Sequence, residues 1–537
     1  MRRITLYDTT LRDGMQGIEV SYTLDDKLQI AHKLDEFGID YIEGGFPLSN
    51  DKEAAFFERV KRERFDHARI VAFGSTRRPR HQAKADAHIT ALIEAETQTV
   101  IVVGKTWKAH VTEVIGTSPE ENLEMIHDSL SYLKSEGREV FFDLEHFFDG
   151  YKDDPEYALK VLETASEAGA DVLVLCDTNG GTLPHEVTKI ITSLPQDRLN
   201  PLGVHFHNDC GTADANSLAG IYAGAVQVQG TVNGWGERCG NANLCVLMPN
   251  ISLKTEFDVS VGDQLRHLTS LSRFVAEKAN IIPEKRQPYV GEAAFSHKAG
   301  QHADVIQKAA HLMEHIDGSL VGNERRIILS ELAGKSTIVK KLSRYGTFDK
   351  NSETVSKLIE ILKERERIGY EYEAAEASFD IVIRKCLGRY TPLFELGNYH
   401  LESYKTGGTP SKTVGRIFLS REGKQIMGAG VGIGPVETLD RALRDALLPF
   451  VDFLKRITLT DYRVRVLNPE AASASRVRVF ITSSDHEHTW DTVGVSENVI
   501  EASWEAMTDS IEYYYNNYVI ADAEKATIDK AIDEKAT

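Results

Sequence analysis

From residue 4 to about 245 the chain alternates between two hydrophobic rhythms. The runs ITLYD, YIEGGF, RIVAFG, TVIVVG, EVFFDLE, VLVLCD, GVHFH and VQVQGTV are short, rich in β-branched residues and mostly apolar along their length. A strand reads this way when both of its faces are buried, as in a parallel sheet. Between these runs lie stretches with helical spacing. In the first, Leu24, Leu28, Ala31, Leu34 and Phe37 recur on one face behind Thr23, a residue type that caps helices. A later one opens at Ser118-Pro119-Glu120-Glu121, which has capping-box spacing and proline at the first helical position. Eight strand–helix units in this span predict an α/β fold, a closed (β/α)8 TIM barrel. A doubly wound open sheet stays as the alternative, because periodicity alone does not close a sheet.

The rhythm changes twice further on. Residues 1–260 are assigned to the barrel, and residues 261–400 read as a mainly helical linker subdomain with an irregular piece, VGEAAFSHKAGQHADV. Residues 401–520 turn strand-rich and carry a two-fold pseudo-repeat of α+β character. Val431-Gly432-Ile433 precedes a helix bearing Val436, Leu439, Leu443 and Leu447. Val493-Gly494-Val495 precedes one bearing Ile500, Ser503, Met507 and Ile511. Residues 521–537 form a charged tail.

Composition narrows the function classes. The 537 residues, 42% hydrophobic, suffice for a large core with accessory domains, and a net charge of −19 argues against a nucleic-acid binder. The five cysteines lack CxxC spacing, so a reducing compartment without a disulfide framework is expected. The opening MRRITLYDTTLRDG holds no apolar run long enough for a signal peptide or a membrane span. A cytoplasmic protein with no membrane partner is therefore expected.

In a (β/α)8 barrel, chemistry sits where strands end. The first strand ends in Asp8-Thr9-Thr10-Leu11-Arg12-Asp13-Gly14, the fifth in Asp143-Leu144-Glu145-His146 and the sixth in Asp177-Thr178-Asn179. The seventh carries His205-Phe206-His207, and the eighth runs into GWGERCGNAN. Residues i and i+2 of a strand point the same way, so His205 and His207 can chelate one metal ion. An Asp and an Asn oxygen would complete a mixed N/O site suited to Mn²⁺ or Mg²⁺, with Zn²⁺ as an alternative. Alone, such a histidine pair is as well explained by chance, and Arg12-Asp13 by a surface ion pair. Their shared placement at strand ends favours a site, in which Arg12 would stabilise a developing oxyanion. No dinucleotide or P-loop fingerprint is present. Cys239 reads as a small buried thiol, and His146, His297 and His311 are not assigned to the metal.

DTTLRDG, HFHND and GERCGNANL, in this order at these strand ends, resemble the family of 2-isopropylmalate, homocitrate and citramalate synthases. That family is the condensing branch of the DRE-TIM metallolyases. The runs DLEHFFDGYKDDPEYAL and HIDGSLVGNERRIILSEL are most similar to its citramalate branch. The resemblance implies that Asp13, His205, His207 and Asn241 ligate a divalent metal and that Arg12 polarises a keto oxygen. It further implies that Thr178 binds the 2-oxo acid carboxylate, that Glu145 belongs to the acceptor pocket with an acid/base role, and that His302 is a catalytic histidine reaching the partner subunit's site. The C-terminal repeat then corresponds to a dimeric regulatory domain binding a feedback amino acid, isoleucine. One position departs: where the family carries tyrosine ahead of EHIDGSLVG, this chain has Met313, which supplies no hydroxyl for proton transfer.

The implied reaction is the condensation of acetyl-CoA with pyruvate and hydrolysis of the thioester, giving citramalate and CoA on the way to isoleucine. A 2-isopropylmalate or homocitrate synthase would use the same barrel with a larger 2-oxo acid. A bond-cleaving acyl-CoA lyase is the rival of another class, and the linker and C-terminal domain argue against it.

Overall fold

A computed structural model of the protein describes residues 2–298, 309–328, 335–372, 374–408, 410–467, 475–485 and 488–520. Eight strands lie in the first half: β1 (Thr5–Asp8), β2 (Tyr41–Gly45), β3 (Arg69–Ser75), β4 (Thr99–Lys105), β5 (Glu139–Glu145), β6 (Val172–Asp177), β7 (Leu202–Phe206) and β8 (Gln227–Gly230). All pair in parallel with their neighbours in sequence order, and β1 pairs with β8 as well as with β2. The sheet is therefore a closed barrel, and the open-sheet alternative falls away.

Helices α1 (Leu24–Phe37), α2 (Asp51–Val60), α3 (Ala87–Glu94), α4 (Pro119–Ser135), α5 (Phe147–Asp153), α6 (Pro155–Glu167), α7 (Pro184–Ser193) and α8 (Ala213–Tyr222) fill the connections between strands. Thr23 and Asp26 form a full capping box at α1. At α4, Ser118 accepts from the Glu121 amide and Pro119 opens the helix, as expected. The Glu121 carboxylate does not complete that box. It accepts instead from the Arg80 amide (3.0 Å) and the Arg77 guanidinium (2.9 Å), because the loop after β3 brings these donors to the same helix end.

The two faces of each strand divide the core. Leu6, Val100, Val102 and Phe142 point outward into the large apolar layer beneath the helices. Their neighbours Tyr7, Ile101 and Phe141 point inward and join Val71, with Tyr41, Phe73 and Val172 packed against them, as a separate cluster inside the barrel. This cluster is a packed floor, so the barrel is no pore. Continuing each inward row by two residues at a time leads from that floor to the C-terminal mouth: Tyr41 to Glu43, Ile101 to Val103 and Lys105, Phe141 to Asp143 and Glu145. Polarity rises along these rows.

The described residues divide into two compact units, one within Met1–Ser296 and Glu314–Arg326, the other within His297–Met313 and Ile327–Thr537. The second contains two three-stranded antiparallel sheets. Strands Glu395–Tyr404, Lys412–Arg421 and Lys424–Gly432 are followed by helix Pro435–Leu447; strands Thr458–Val466, Val477–Ser484 and Thr489–Ser496 are followed by helix Val499–Tyr514. The pseudo-repeat read from the sequence is thus a repeat of β-β-β-α units. Leu439, Leu443 and Leu447 are fully buried, as their i, i+4, i+8 spacing requires. Among the described residues, no helix is long and apolar enough to cross a membrane.

Candidate active site

The turn after β1 is fixed from within. The buried Asp8 carboxylate accepts from the Thr10 amide (2.9 Å) and the Thr10 hydroxyl (2.8 Å), and the Gly14 amide donates to the Thr9 carbonyl (3.0 Å). This folds Arg12 and Asp13 over the mouth. From β7 and the residue after it, His205 and His207 reach the same point. Asp13 Oδ2 lies 3.2 Å from His205 Nε2 and 3.9 Å from His207 Nε2, and the two imidazole nitrogens are 3.4 Å apart. Among the described residues no other group of three His, Cys, Asp or Glu side chains gathers closely enough to hold one ion.

A neighbouring amide orients the first imidazole. Gln229 Nε2 donates to Gln227 Oε1, so Gln229 Oε1 faces His205 Nδ1 at 3.0 Å and accepts its proton. With Nδ1 so engaged, Nε2 of His205 is the nitrogen turned toward Asp13 and His207, and a metal ion would take the place of its proton there, an arrangement typical of a metal-binding imidazole. Burial disfavours charge on both partners. Against it, Arg12 and the two histidines hold the Asp13 carboxyl well below the usual carboxylate range, and Asp13 raises His205. Burial and the neighbouring His205 push His207 down to about 4, so its imidazole is neutral at pH 7 and can ligate.

Asn241 arrives from the loop after β8. Its backbone bridges to His207, its amide donates to the Gly234 carbonyl (2.9 Å), and Nδ2 donates to the Trp235 carbonyl (3.2 Å). That bond turns Oδ1 the other way, where it is buried without a partner. Asp13 Oδ1 and His207 Nδ1 are in the same state. Buried polar atoms are seldom left unpaired. Acceptors converging from Asp13, His205 and His207, with an unpartnered amide oxygen on the residue paired to His207, fit a divalent cation. Gly236 is part of this arrangement, because a Cβ there would stand 2.2 Å from Asn241 Nδ2. Gly236→Ala is expected to displace Asn241 and to weaken metal affinity by about 10-fold or more with the fold retained, as loss of a group that orients a ligand does. Metal titration of the variant checks this.

Arg12 is held on three sides. Its Nε donates to Glu43 Oε1, Nη2 lies 3.7 Å from Asp13 Oδ2, and the guanidinium sits 4.1 Å from the centre of the Phe73 ring. Glu43 is fully buried and also accepts from the Tyr7 hydroxyl (2.8 Å). Glu145, at the end of β5, pairs with Lys105 at the end of β4. The Thr178 hydroxyl oxygen accepts from the His146 amide at 2.9 Å. A cavity of about 500 Å³ brings Arg12, Asp13, Glu145, Thr178, His205 and His207 onto one wall system, with Phe46, Phe73 and Val103 as its apolar part.

Of the residues singled out in the sequence, His302 lies outside the described residues. Met313 is exposed, and so is Cys239, which corrects its expected burial. Left-handed backbone at Arg238 (φ 57°) and Gly240 (φ 89°), with Arg238 bonded to Asp209, turns the Cys239 thiol outward. Glu43 and Lys105 escaped the sequence reading, and Asp143, named there at the end of the fifth strand, was given no role. Asp143 lines the cavity, its Oδ1 has no partner, and burial pushes its carboxyl up to about 7.

The barrel and its metal-ready mouth define the class first. Residues 3–275 match the HMGL-like family model, residues 289–368 the homocitrate synthase post-HMGL domain-like model, and residues 373–515 the LeuA allosteric (dimerisation) domain. The chain is 50% identical to the (R)-citramalate synthase of Aquifex aeolicus (strain VF5) over 515 residues, which is 95% of this chain and 97% of that protein. It is 47% identical to the (R)-citramalate synthase of Geobacter sulfurreducens, covering 96% and 98%, and 44% identical to that of Sulfolobus acidocaldarius, covering 96% and 97%. The chain belongs to the (R)-citramalate synthase family.

Proposed function

We propose that this protein is an acyltransferase that condenses acetyl-CoA with pyruvate and hydrolyses the thioester, giving citramalate and CoA. The observation that carries the reading is the meeting of Asp13, His205 and His207 at the cavity wall beside Arg12, in a chain 50% identical to a citramalate synthase over nearly its whole length. Asp13, His205, His207 and Asn241 would hold the metal, and their mixed N/O character suits Mn²⁺ or Mg²⁺, with Zn²⁺ as the alternative. When bound there, a divalent ion supplies Lewis acidity toward the carbonyl oxygen of the 2-oxo acid.

The chain's own groups do the rest. Arg12, rigidly held, places positive charge where the keto oxygen becomes negative. Thr178 already accepts the His146 amide, so its hydroxyl proton is free to donate to the substrate carboxylate. The Lys105 ammonium pairs with Glu145 and fixes its carboxylate at the cavity wall, where it can meet a substrate proton. A proton leaves the methyl group of acetyl-CoA to a base. His302, with Glu145, is the proposed pair, and the resulting enolate attacks the keto carbon. Water then cleaves the thioester, and thiol release makes the step irreversible. The apolar wall of Phe46, Phe73 and Val103 can take the methyl group of pyruvate.

We further assign to residues 401–520 the pairing of two copies and the binding of isoleucine as feedback effector, in keeping with the LeuA allosteric (dimerisation) match. A cytoplasmic location goes with this reading. Its test is CoA thiol release from acetyl-CoA with Mn²⁺ or Mg²⁺ and pyruvate, 2-oxoisovalerate or 2-oxoglutarate as acceptor. Chelator-sensitive release with pyruvate is expected, at a rate at least about tenfold above the bulkier acids, since one or two extra methylenes change selectivity on that scale. Preferred release with a bulkier acid would move the acceptor assignment, and no release with any would overturn the condensing reading.

A further inference from the structure

The rim between β5 and β6 carries groups that the proposed reaction does not use. His146 directly follows Glu145 and takes left-handed backbone angles (φ 55°, ψ 35°), uncommon for a residue with a side chain. It is 8% exposed. Two bonds hold it: its amide donates to Thr178 Oγ1, and its Nδ1 lies 3.2 Å from Asp149 Oδ2. Asp149 stands in the first turn of α5, and the same Oδ2 accepts from Asn179 Nδ2 at 2.9 Å. Lys152 of α5 adds a bond to Thr182 (3.3 Å), and the His146 ring lies against His110, with centroids 4.3 Å apart. One carboxylate oxygen therefore joins the residue after Glu145 to the residue after Thr178.

We infer that Asp149 is a positioning residue for the 2-oxo acid, tying the end of β5 to the end of β6 so that Glu145 and the Thr178 hydroxyl face the cavity at a fixed separation. This rests on the condensing reading given above. The tie acts through backbone placement: with His146 held left-handed, its N–H reaches Thr178 Oγ1, and that hydroxyl keeps its proton for a ligand. Without Asp149, His146 loses the bond that opposes relaxation to an ordinary backbone conformation, and Asn179 loses its partner. Misplacement of a binding group by an ångström is costly in rate and affinity. A simpler role for an acid in the first turn of a helix is to offset the helix dipole. That role would touch stability and leave substrate binding alone, so the two are separable.

The test uses Asp149→Ala and Asp149→Asn in the full chain. For Asp149→Ala, KM for pyruvate is expected to rise about tenfold or more, with KM for acetyl-CoA within about twofold of the parent and bound metal unchanged. Asp149→Asn recovers part of the loss, since its carboxamide oxygen still accepts one of the two bonds. Hydrogen exchange, which needs no turnover, is expected to quicken in peptides covering 145–150 and 177–182 and to stay unchanged over 203–208. A lower Tm with both KM values unchanged, or unaltered exchange at 177–182, overturns the inference. If the parent protein releases no CoA with pyruvate, the condensing reading fails by itself, and the exchange measurement still decides whether Asp149 ties the two strand ends.

Discussion

Alanine in place of His205 is expected to strip the divalent metal and to lower CoA release by about 10³-fold, a figure that follows from several kcal/mol of Lewis-acid stabilisation at 1.36 kcal/mol per tenfold. The size of the effect comes from how few donors converge. Asp13 Oδ2 is 3.2 Å from His205 Nε2 but 3.9 Å from His207 Nε2, so removing His205 takes away the donor nearest to the carboxylate. His205 is also the imidazole whose tautomer is fixed by Gln229, which makes it the better prepared of the two. The fold should survive, because His205 lies at the cavity wall above the apolar floor formed by Tyr7, Val71, Ile101 and Phe141. The measurement is metal content by elemental analysis beside steady-state rates and Tm. A variant with a full complement of metal and a rate near the parent's would remove His205 from the metal set. In the parent, a chelator should reproduce the loss and added Mn²⁺ should reverse it, whereas no added metal should restore the variant fully.

The barrel was legible because its strands are buried on both faces. Eight apolar runs such as TVIVVG and VLVLCD have no polar side to confuse the reading, and each lies within a residue or two of a strand. The C-terminal repeat was legible for the opposite reason: Leu439, Leu443 and Leu447 form one apolar stripe on an otherwise charged helix. At the site, the groups singled out stand at or just past a strand's C-terminal end, where polar residues stand out against the apolar run. Glu43, Lys105 and Asp143 were given no role because a lone charged residue in a mostly apolar run does not show which face it takes. Their meaning depends on which face points inward, and that is set by closure of the sheet. Once Tyr41, Ile101 and Phe141 are known to line the interior, the period of two leads directly to all three. The tie through Asp149 was out of reach for another reason. It needs the left-handed turn at His146, and a histidine in a sequence does not announce that conformation.

The capping at α4 shows the same limit on a small scale. Ser118 and Glu121 have the spacing of a reciprocal cap, and half of it forms. The other half is lost to Arg77 and Arg80, which are 40 or so residues away in sequence and adjacent only in the folded barrel. The Arg77 guanidinium gives a charge-assisted bond, and the Arg80 backbone amide adds a second on the same oxygen, so together they outcompete the single amide at the cap. Local rules fail where tertiary neighbours offer a stronger partner, and the mouth of this barrel is dense with such partners.

Arg12→Lys is expected to lower kcat by about 10²–10³-fold, the loss seen when one donor to a developing oxyanion is removed, while bound metal stays at the parent level. Lysine keeps the charge, so a purely Coulombic role would leave most of the rate. The structure argues for more than charge. Arg12 uses Nε on Glu43, turns Nη2 toward Asp13 and lays its flat face on Phe73. An ammonium cannot make these three contacts together, because it lacks the planar fork. It would also leave Glu43, fully buried, with the Tyr7 hydroxyl as its remaining hydrogen-bond donor, or draw Nζ down onto Glu43 and away from the cavity. Either result removes the donor from the place where the keto oxygen gains charge. Retained metal with a low kcat separates this variant from His205→Ala, in which metal and rate fall together. Glu43→Gln supplies the complementary case: Arg12 keeps its identity and loses its anchor, so kcat should fall by a smaller factor, about tenfold, with KM for acetyl-CoA unchanged. A lysine variant within about threefold of the parent rate would reduce Arg12 to a charge near the metal and would take the oxyanion role away from it.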